Sequence, residues 1–585
     1  MSTTDTFTFV SFFLIVVGVS LWKSRRKGAS QDESDYFLGG RSLTWPIIGI
    51  SIVAANISSE QMVGMAGAGA AEQGLAVAAW QLMGSVFIAL IAVTLLPRFL
   101  RAGIYTMPEF LEYRYDAAAR GIMAVVTVII YVGVLLTAVL YTGATALNVL
   151  LGIPMAKGVW LIGAIGTLYA AIGGLKAIAY ADLIQGCALL AGGMTVFYLG
   201  LQESGGWADF SAGNADKLKL LLFKGHPGYE QLPCYTVFGG MWIVMIYYFG
   251  LNQFIVQRNL AARTLRDGQL GMIFAGALWI LVPFAIVMPG IMAGSLYPEA
   301  LSDKSDAAYP TLIKHLVGPG LRGFIFAAIA GAIVSTLASL LNSASTIASI
   351  DIYQRLMRPK ASQNAVVRLG RALTIVFVIL GCIAAPLLTD GVFTFIQQFQ
   401  GFIWPGVVAA FLGAFLLPRA PAAAGSVALL LGPILYALFQ TLNTEGLFAN
   451  VLGERVLHMH YLMQTLACFG IIFAVMVGLT LLKPLPEPRT LPVREGIALK
   501  TEPVVFVAAG GSSSLWPSFS SCFAERKCPL QNKGTSLLNH EPCNRITRAA
   551  LDPNLWTRDT GEKSALFREA CVSGIVRQGL SRAIH

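Results

Sequence analysis

Apolar runs of about 20 residues, the length that crosses a bilayer as an α-helix, recur through this sequence from Phe7 to Leu482. No other feature restricts the fold as much. In hydrocarbon a backbone can satisfy its polar groups only as a helix or a closed barrel. Charged residues are 12% of the 585 and mean hydropathy is +0.67, whereas a soluble domain carries about twice that charge. The expected fold is an all-α polytopic membrane protein with about 13 transmembrane helices.

The first run, about Phe7 to Trp22, has no basic residue before it and is followed by Lys23, Arg25, Arg26 and Lys27. That reverses the secretory-signal pattern, so it reads as a retained span with its N-terminus outside. Further spans are expected near 44–67, 76–97, 121–150, 157–175, 180–201 and 236–257. Others fall near 270–295, 322–350, 368–388, 393–417, 423–441 and 459–482. Arg98 and Arg101, then Arg258, Arg263 and Arg266, then Arg355, Arg358 and Lys360 all follow spans on one side. Basic residues gathered in short loops mark the cytoplasmic side. The net charge of +10 therefore reflects topology and not nucleic-acid binding. An odd number of spans places the C-terminus in the cytoplasm, and the location expected is the cell (inner) membrane. The eight cysteines show no CxxC spacing and make no metal or disulfide framework.

The stretch 51–64, SIVAANISSEQMVG, is apolar at both ends but carries Asn56, Ser58, Ser59, Glu60 and Gln61 in its middle. A carboxylate at mid-helix costs roughly 2.5–3.5 kcal/mol, so the cluster is expected to face a bundle interior or a wet cavity. It reads as a discontinuous helix lining a solute and ion site. MIYYFGLNQ, about 190 residues later, is similarly polar and glycine-interrupted. Each stretch heads five consecutive spans. This predicts a five-plus-five inverted-repeat transporter core with broken first and sixth core helices. The chain then divides into an N-terminal extra helix and link (1–43), the core (44–418), two additional helices (419–483) and a tail (484–585). The proline-rich exit PLPEPRTLP opens that tail, which is polar and is expected to be disordered and cytoplasmic.

DYFLGGRS, AANISSEQMVGMAG, GIYTMPEFLEYRYD, GGLKAIAYADLIQG, YYFGLNQFIVQRNLAA and IVSTLASLLNSASTIASIDIY occur in that order. Together they resemble the sodium:solute symporter family, and within it the sodium/glucose and sodium/galactose branch. The resemblance implies a sodium ion between the first broken helix and the eighth core helix. Its ligands would be carbonyls of Ala54, Ile57 and Ala332 with hydroxyls of Ser335 and Thr336. An unwound helix frees carbonyls that suit a hard monovalent cation. Alternatively, the two hydroxyls bond back to their own helix. The family also places an acid at Asp182, associated with sodium release; the plainer reading is an interfacial acid paired with Lys176 or an arginine.

For the solute, the resemblance implies Gln61 and Gln397 as hydrogen-bonding groups, Tyr248 as the aromatic on the inner side, and Trp80 with Gln81 as the aromatic-polar pair. Asn56 joins these candidates. Two positions depart: Met245 stands where the galactose branch has an asparagine, and Trp279 where it has a lysine. A sugar hydroxyl left unpaired there costs about 1–3 kcal/mol, which favours a less hydroxylated monosaccharide or polyol over galactose.

The function expected is sodium-coupled symport of a small polar solute, most simply a monosaccharide or polyol, by alternating access. The alternatives are a symporter of a small organic acid and a membrane sensor built on a symporter body. An enzyme is not expected: the sequence carries no HExxH, GxSxG or ATP-binding motif. Partners expected are the solute, sodium and the lipid bilayer, without ATP. No covalent cofactor is expected; sodium is the coupling ion.

Overall fold

A computed structural model describes residues 2–24, 38–57, 60–301, 304–388, 391–443, 457–489, 491–493 and 501–510. It is built from α-helices. The first is α1 (Thr3–Ser24). The next two are α2 (Trp45–Asn56) and α3 (Glu60–Ala70), a pair bent by 56°. Then come α4 (Gly74–Thr94), the short α5 (Leu96–Ala102) and α6 (Met107–Arg114), α7 (Ala117–Leu151) and α8 (Met155–Glu203). The second half opens with α9 (Met241–Leu251) and α10 (Gln253–Leu260). It continues through α11 (Leu265–Leu296), α12 (Leu321–Met357), α13 (Gln363–Leu387), the bent pair α14 (Val392–Gln400) and α15 (Trp404–Leu416), α16 (Ala422–Leu442) and α17 (Tyr461–Leu482).

Among the described residues eight helices are long and apolar enough to cross a membrane, or up to ten if each bent pair is one span. Three shorter apolar helices, Thr3–Val16, Met155–Leu168 and Met241–Leu251, fall on the remaining expected spans. The outer faces are apolar at helical spacing: Ile375, Ile379 and Ile383 on α13 and Leu430, Ile434 and Leu438 on α16 are exposed. The interior instead buries Ser335, Thr336, Asn342, Asp182 and Arg258. An apolar outer face, with the polar residues held inside an otherwise apolar core, is the arrangement of a chain dissolved in lipid.

The spans expected near 157–175 and 180–201 fall on the apolar stretches Met155–Leu168 and Ile178–Glu203, which are joined without a break in the 49-residue helix α8; the stretch between them has no proline to remove a backbone bond.

Both expected breaks are present. Thr44 in extended conformation and Pro46 in the first turn start α2, where proline's missing N–H is not needed. The helix ends at Ile57, with φ −75° and ψ 72°. In the second half Asn252 is extended (φ −79°, ψ 115°) between α9 and α10. Tyr131 of α7 bridges that gap: its hydroxyl hydrogen-bonds Asn252 Oδ1 and accepts from Phe254 N–H at 3.2 Å. Among the described residues five wide, π-helical turns interrupt the core: Glu60–Met65, Tyr131–Leu136, Tyr247–Leu251, Pro283–Val287 and Ile347–Met357.

At one end of the bundle α6, α7 and α12 are clamped by charge. Arg120 Nε donates to Asp351 Oδ1 at 2.6 Å and Thr106 Oγ1 to the same oxygen at 2.8 Å. Glu112 accepts from Arg120 at 2.8 Å and from Arg355 Nε at 2.8 Å.

Part of the predicted tail is ordered against the core. Leu485 N–H donates to Arg419 O at 2.8 Å, Gln269 Nε2 to Thr501 Oγ1 at 2.9 Å, and Glu502 pairs with Arg266 at 3.3 Å. Residues 503–510 are helical and Val505 is buried. Residues 490, 494–500 and 511–585 of the tail, and Ser58 and Ser59, lie outside the described residues.

Candidate functional site

The polar middle of α3 opens on a cavity of about 50 Å³. Glu60, Gln61 and Met65 line it from α3, and Trp80 and Gln81 from α4. Val244, Met245, Tyr248 and Phe249 come from the π turn and preceding helix of α9, and Trp279 from α11. Phe393, Ile396, Gln397 and Gln400 complete it from α14. Seven of the eight solute candidates are thus brought together.

Asn56 is not. It sits fully buried in the last turn of α2, where its Nδ2 donates to Ile52 O at 2.7 Å and its Oδ1 has no hydrogen-bond partner among the described residues. Gln400, Phe249, Phe393 and Glu60 were not among the solute candidates. Gln400 lies three residues after Gln397, hence on the same helical face, and that spacing was a readable signal.

Local packing sets these side chains. Asp306 Oδ2 accepts from the N–H groups of Gly391 and Val392 at 3.2 and 3.4 Å, anchoring the start of α14. A Cβ on Gly84 would fall 2.9 Å from Phe249 and 3.0 Å from Trp279 Nε1, so this glycine makes room for both rings. Phe249 and Trp279 then meet edge to face at 5.9 Å, and Trp80 meets Phe393 likewise at 5.7 Å. Gln81 Nε2 donates to Met65 Sδ at 2.7 Å.

Next to this cavity α2, α8, α10 and α12 build a charged core. A Cβ on Gly186 would lie 2.8 Å from Ile50 and 3.0 Å from Ala54, so α8 presses directly on α2. One turn earlier, Asp182 reaches the α2–α12 seam. Its Oδ2 accepts from the Ser51 hydroxyl and from Arg258 Nη2 at 3.0 Å, and its Oδ1 from the Ser335 hydroxyl. Arg258 also donates from Nε to Ser51 Oγ at 2.7 Å and from Nη2 to Ser339 Oγ at 2.8 Å.

Asp182 is fully buried and is paired with an arginine, Arg258, as the plainer reading allowed; the Lys176 side chain lies outside the described residues. Arg258 itself is 1% exposed. It is a buried ion-pair member and not a loop cation. The sodium candidates Ala54, Ile57, Ala332, Ser335 and Thr336 are all buried on α2 and α12. Thr336 Oγ1 donates to Ala55 O at 3.3 Å, so it bonds across helices and not back to its own. Ser335, as it stands, is engaged with Asp182.

The sequence profile of the sodium:solute symporter family matches residues 36–432. The chain belongs to this family. The sodium/glucose cotransporter of Vibrio parahaemolyticus is 37% identical over 438 residues, covering 70% of this symporter and 80% of the relative. An uncharacterized symporter of Escherichia coli (strain K12), YidK, is 34% identical over 86% of this chain and 88% of its own. The human sodium/myo-inositol cotransporter is 28% identical over 86% and 78%. These relatives are transporters, not enzymes. Among solved structures, a Na+-coupled sialic acid symporter in a substrate-bound outward-open state superimposes with TM-score 0.71 at 20% identity, covering 83% of this chain and 99% of that one. That likeness shows the fold. This symporter is therefore a multi-pass membrane transporter of the sodium-coupled class.

Proposed function

We propose that this symporter couples uptake of a small uncharged polar solute, a monosaccharide or related polyol, to inward sodium flow by alternating access. The observation that carries the reading is the cavity between the two interrupted helices, where Gln61, Gln81 and Gln397 converge with Trp80 and Tyr248. Amides both donate and accept, as hydroxyls require, and aromatic faces pack on the C–H faces of a sugar ring. Among the described residues no lysine, arginine or histidine lines the cavity, which disfavours the organic-acid alternative.

Sodium is assigned to the α2–α12 seam, with carbonyls of Ala54, Ile57 and Ala332 and hydroxyls of Ser335 and Thr336 as its ligands. Asp182 is assigned to sodium release: a carboxylate that already exchanges hydrogen bonds with Ser335 is placed to draw the ion off that hydroxyl. The N-terminus faces outward, the C-terminus lies in the cytoplasm, and the membrane is the cell's inner one. One sodium crossing about 100 mV releases about 2.3 kcal/mol, and a tenfold gradient adds about 1.4 kcal/mol. Together they support accumulation of several hundred-fold.

The test is uptake into proteoliposomes under an imposed sodium gradient, across sugars, polyols and acids. Solute accumulation that needs sodium and no ATP is expected. Equal rates with choline in place of sodium would overturn the proposal.

A further inference from the structure

The cavity has two unlike walls. On one, Gln61, Gln81 and Gln400 are 7%, 1% and 1% exposed, and the carbonyl oxygen of each has no hydrogen-bond partner among the described residues. Two of these amides are fixed in orientation by their NH2 ends: Gln81 donates to Met65 Sδ at 2.7 Å and Gln400 to Gln397 Oε1 at 3.5 Å. Their oxygens are buried acceptors without donors, an arrangement that stays costly until a ligand supplies O–H or N–H groups. They come from three separate helices, α3, α4 and α14, so one small solute can meet all three.

The α9 and α11 side is lined by Val244, Met245, Phe249 and the ring of Trp279, with Tyr248 beside them; apart from the Tyr248 hydroxyl and the Trp279 indole N–H this side is apolar. The Phe249–Trp279 edge-to-face pair holds these two rings against each other. A hydroxyl turned toward Val244 or Met245 would lose its water and gain no acceptor, whereas a methyl group would be buried favourably there.

We infer that the solute is itself two-faced: a deoxygenated sugar, with hydroxyl donors along one edge and a methyl or methylene on the other, of the 6-deoxyhexose class. This rests on the sugar reading of the same cavity and sharpens it. Gln400 becomes a specificity residue, since its oxygen adds a third acceptor to the donor-seeking wall. Met245 sets the discrimination on the apolar side. Each unpaired hydroxyl weakens binding by roughly tenfold or more.

The experiment is competition for sodium-driven uptake in proteoliposomes of the full chain, using hexoses paired with their own 6-deoxy counterparts: galactose, glucose and mannose series. In the best-bound series the 6-deoxy sugar is expected to compete at a concentration at least about tenfold below that of its parent. Met245→Asn should close that ratio by strengthening the parent hexose. Gln400→Leu should weaken both sugars about tenfold without changing the sodium concentration for half-maximal uptake. Sodium-driven sugar uptake in which the parent equals or beats every 6-deoxy partner overturns this inference alone. A ratio indifferent to Met245→Asn overturns the assignment to the apolar wall. Sodium-driven uptake of no sugar or polyol at all overturns the proposed function and this inference together.

Discussion

Arg258 on α10 and Asp182 on α8 form an ion pair of 3.0 Å, with both side chains withdrawn from solvent. The two residues lie in opposite halves of the core, and Ser51 and Ser339 satisfy further donors and acceptors of the pair. Removing one partner from such a pair leaves an uncompensated charge and is strongly destabilising, by about 3–5 kcal/mol. Arg258→Met is therefore expected to lower the melting temperature sharply. The Asp182→Asn/Arg258→Met double change should recover a substantial part of the loss. Thermal unfolding of detergent-purified protein checks this; additive losses in the double variant would contradict the coupling.

The seam between α2 and α12 supplies a second test. Ser335→Ala with Thr336→Ala removes two hydroxyls that donate to Asp182 and to Ala55 O. The half-saturating sodium concentration is expected to rise at least about tenfold, the scale of losing one hydrogen-bonding ligand, while the protein still purifies as a folded monodisperse species. Unchanged sodium dependence would place the ion elsewhere.

The clamp at Glu112 predicts a pH dependence. Partial burial pushes its carboxyl up, but hydrogen bonds from Arg355 and Arg120 outweigh this and hold it below the usual glutamate value of 4.5. A carboxylate whose folded value is depressed adds stability that is present above its unfolded value and lost as pH falls through the lowered one. Glu112→Gln should thus cost about 1–3 kcal/mol, equally at pH 7 and pH 6. The gap from the unaltered protein should narrow only below about pH 4.5. Melting curves across pH decide it; a gap that closes between pH 7 and 6 would refute the sign.

Two truncations separate the roles of the ordered stretch and the residues beyond Gly510. Ending the chain after Gly510 keeps the Gln269–Thr501 and Arg266–Glu502 contacts and is expected to leave uptake and stability unchanged. Ending it after Lys500 removes those contacts and the buried Val505, and should lower the melting temperature by a few degrees with uptake per folded molecule retained. Loss of uptake in the longer form at normal membrane abundance would give the remaining tail a role.

Fold and site were legible from sequence where lipid leaves the chain no choice. Long apolar runs became helices, and the polar middle of 51–64 became a break because no membrane helix keeps Glu60 and Gln61 in hydrocarbon without a cavity. What escaped reading depended on pairing across the chain. Arg258 looked like one more basic residue after a span; only the packing of Gly186 on Ala54 reveals that Asp182 waits opposite it. Thr501 and Glu502 belong to a polar, proline-flanked stretch whose order comes from Gln269 and Arg266, more than 200 residues earlier. Asn56 had the right chemistry for the solute wall, but the local geometry of a helix end claimed it first.

At the wide turn Tyr247–Leu251 the chain carries slack, because a π turn holds one residue more than the α-helix on either side of it. Deleting a single residue within the turn lets it tighten to ordinary α-helix without shortening α9, whereas the same deletion one turn earlier would drag the whole segment. The flanks keep their register: only the extra residue of the turn is lost, whereas removing one from regular α-helix would swing one side by about 100° relative to the other. Val244 and Met245, ahead of the turn, would thus hold their places on the cavity, and only the part lined by Tyr248 and Phe249 would be rebuilt.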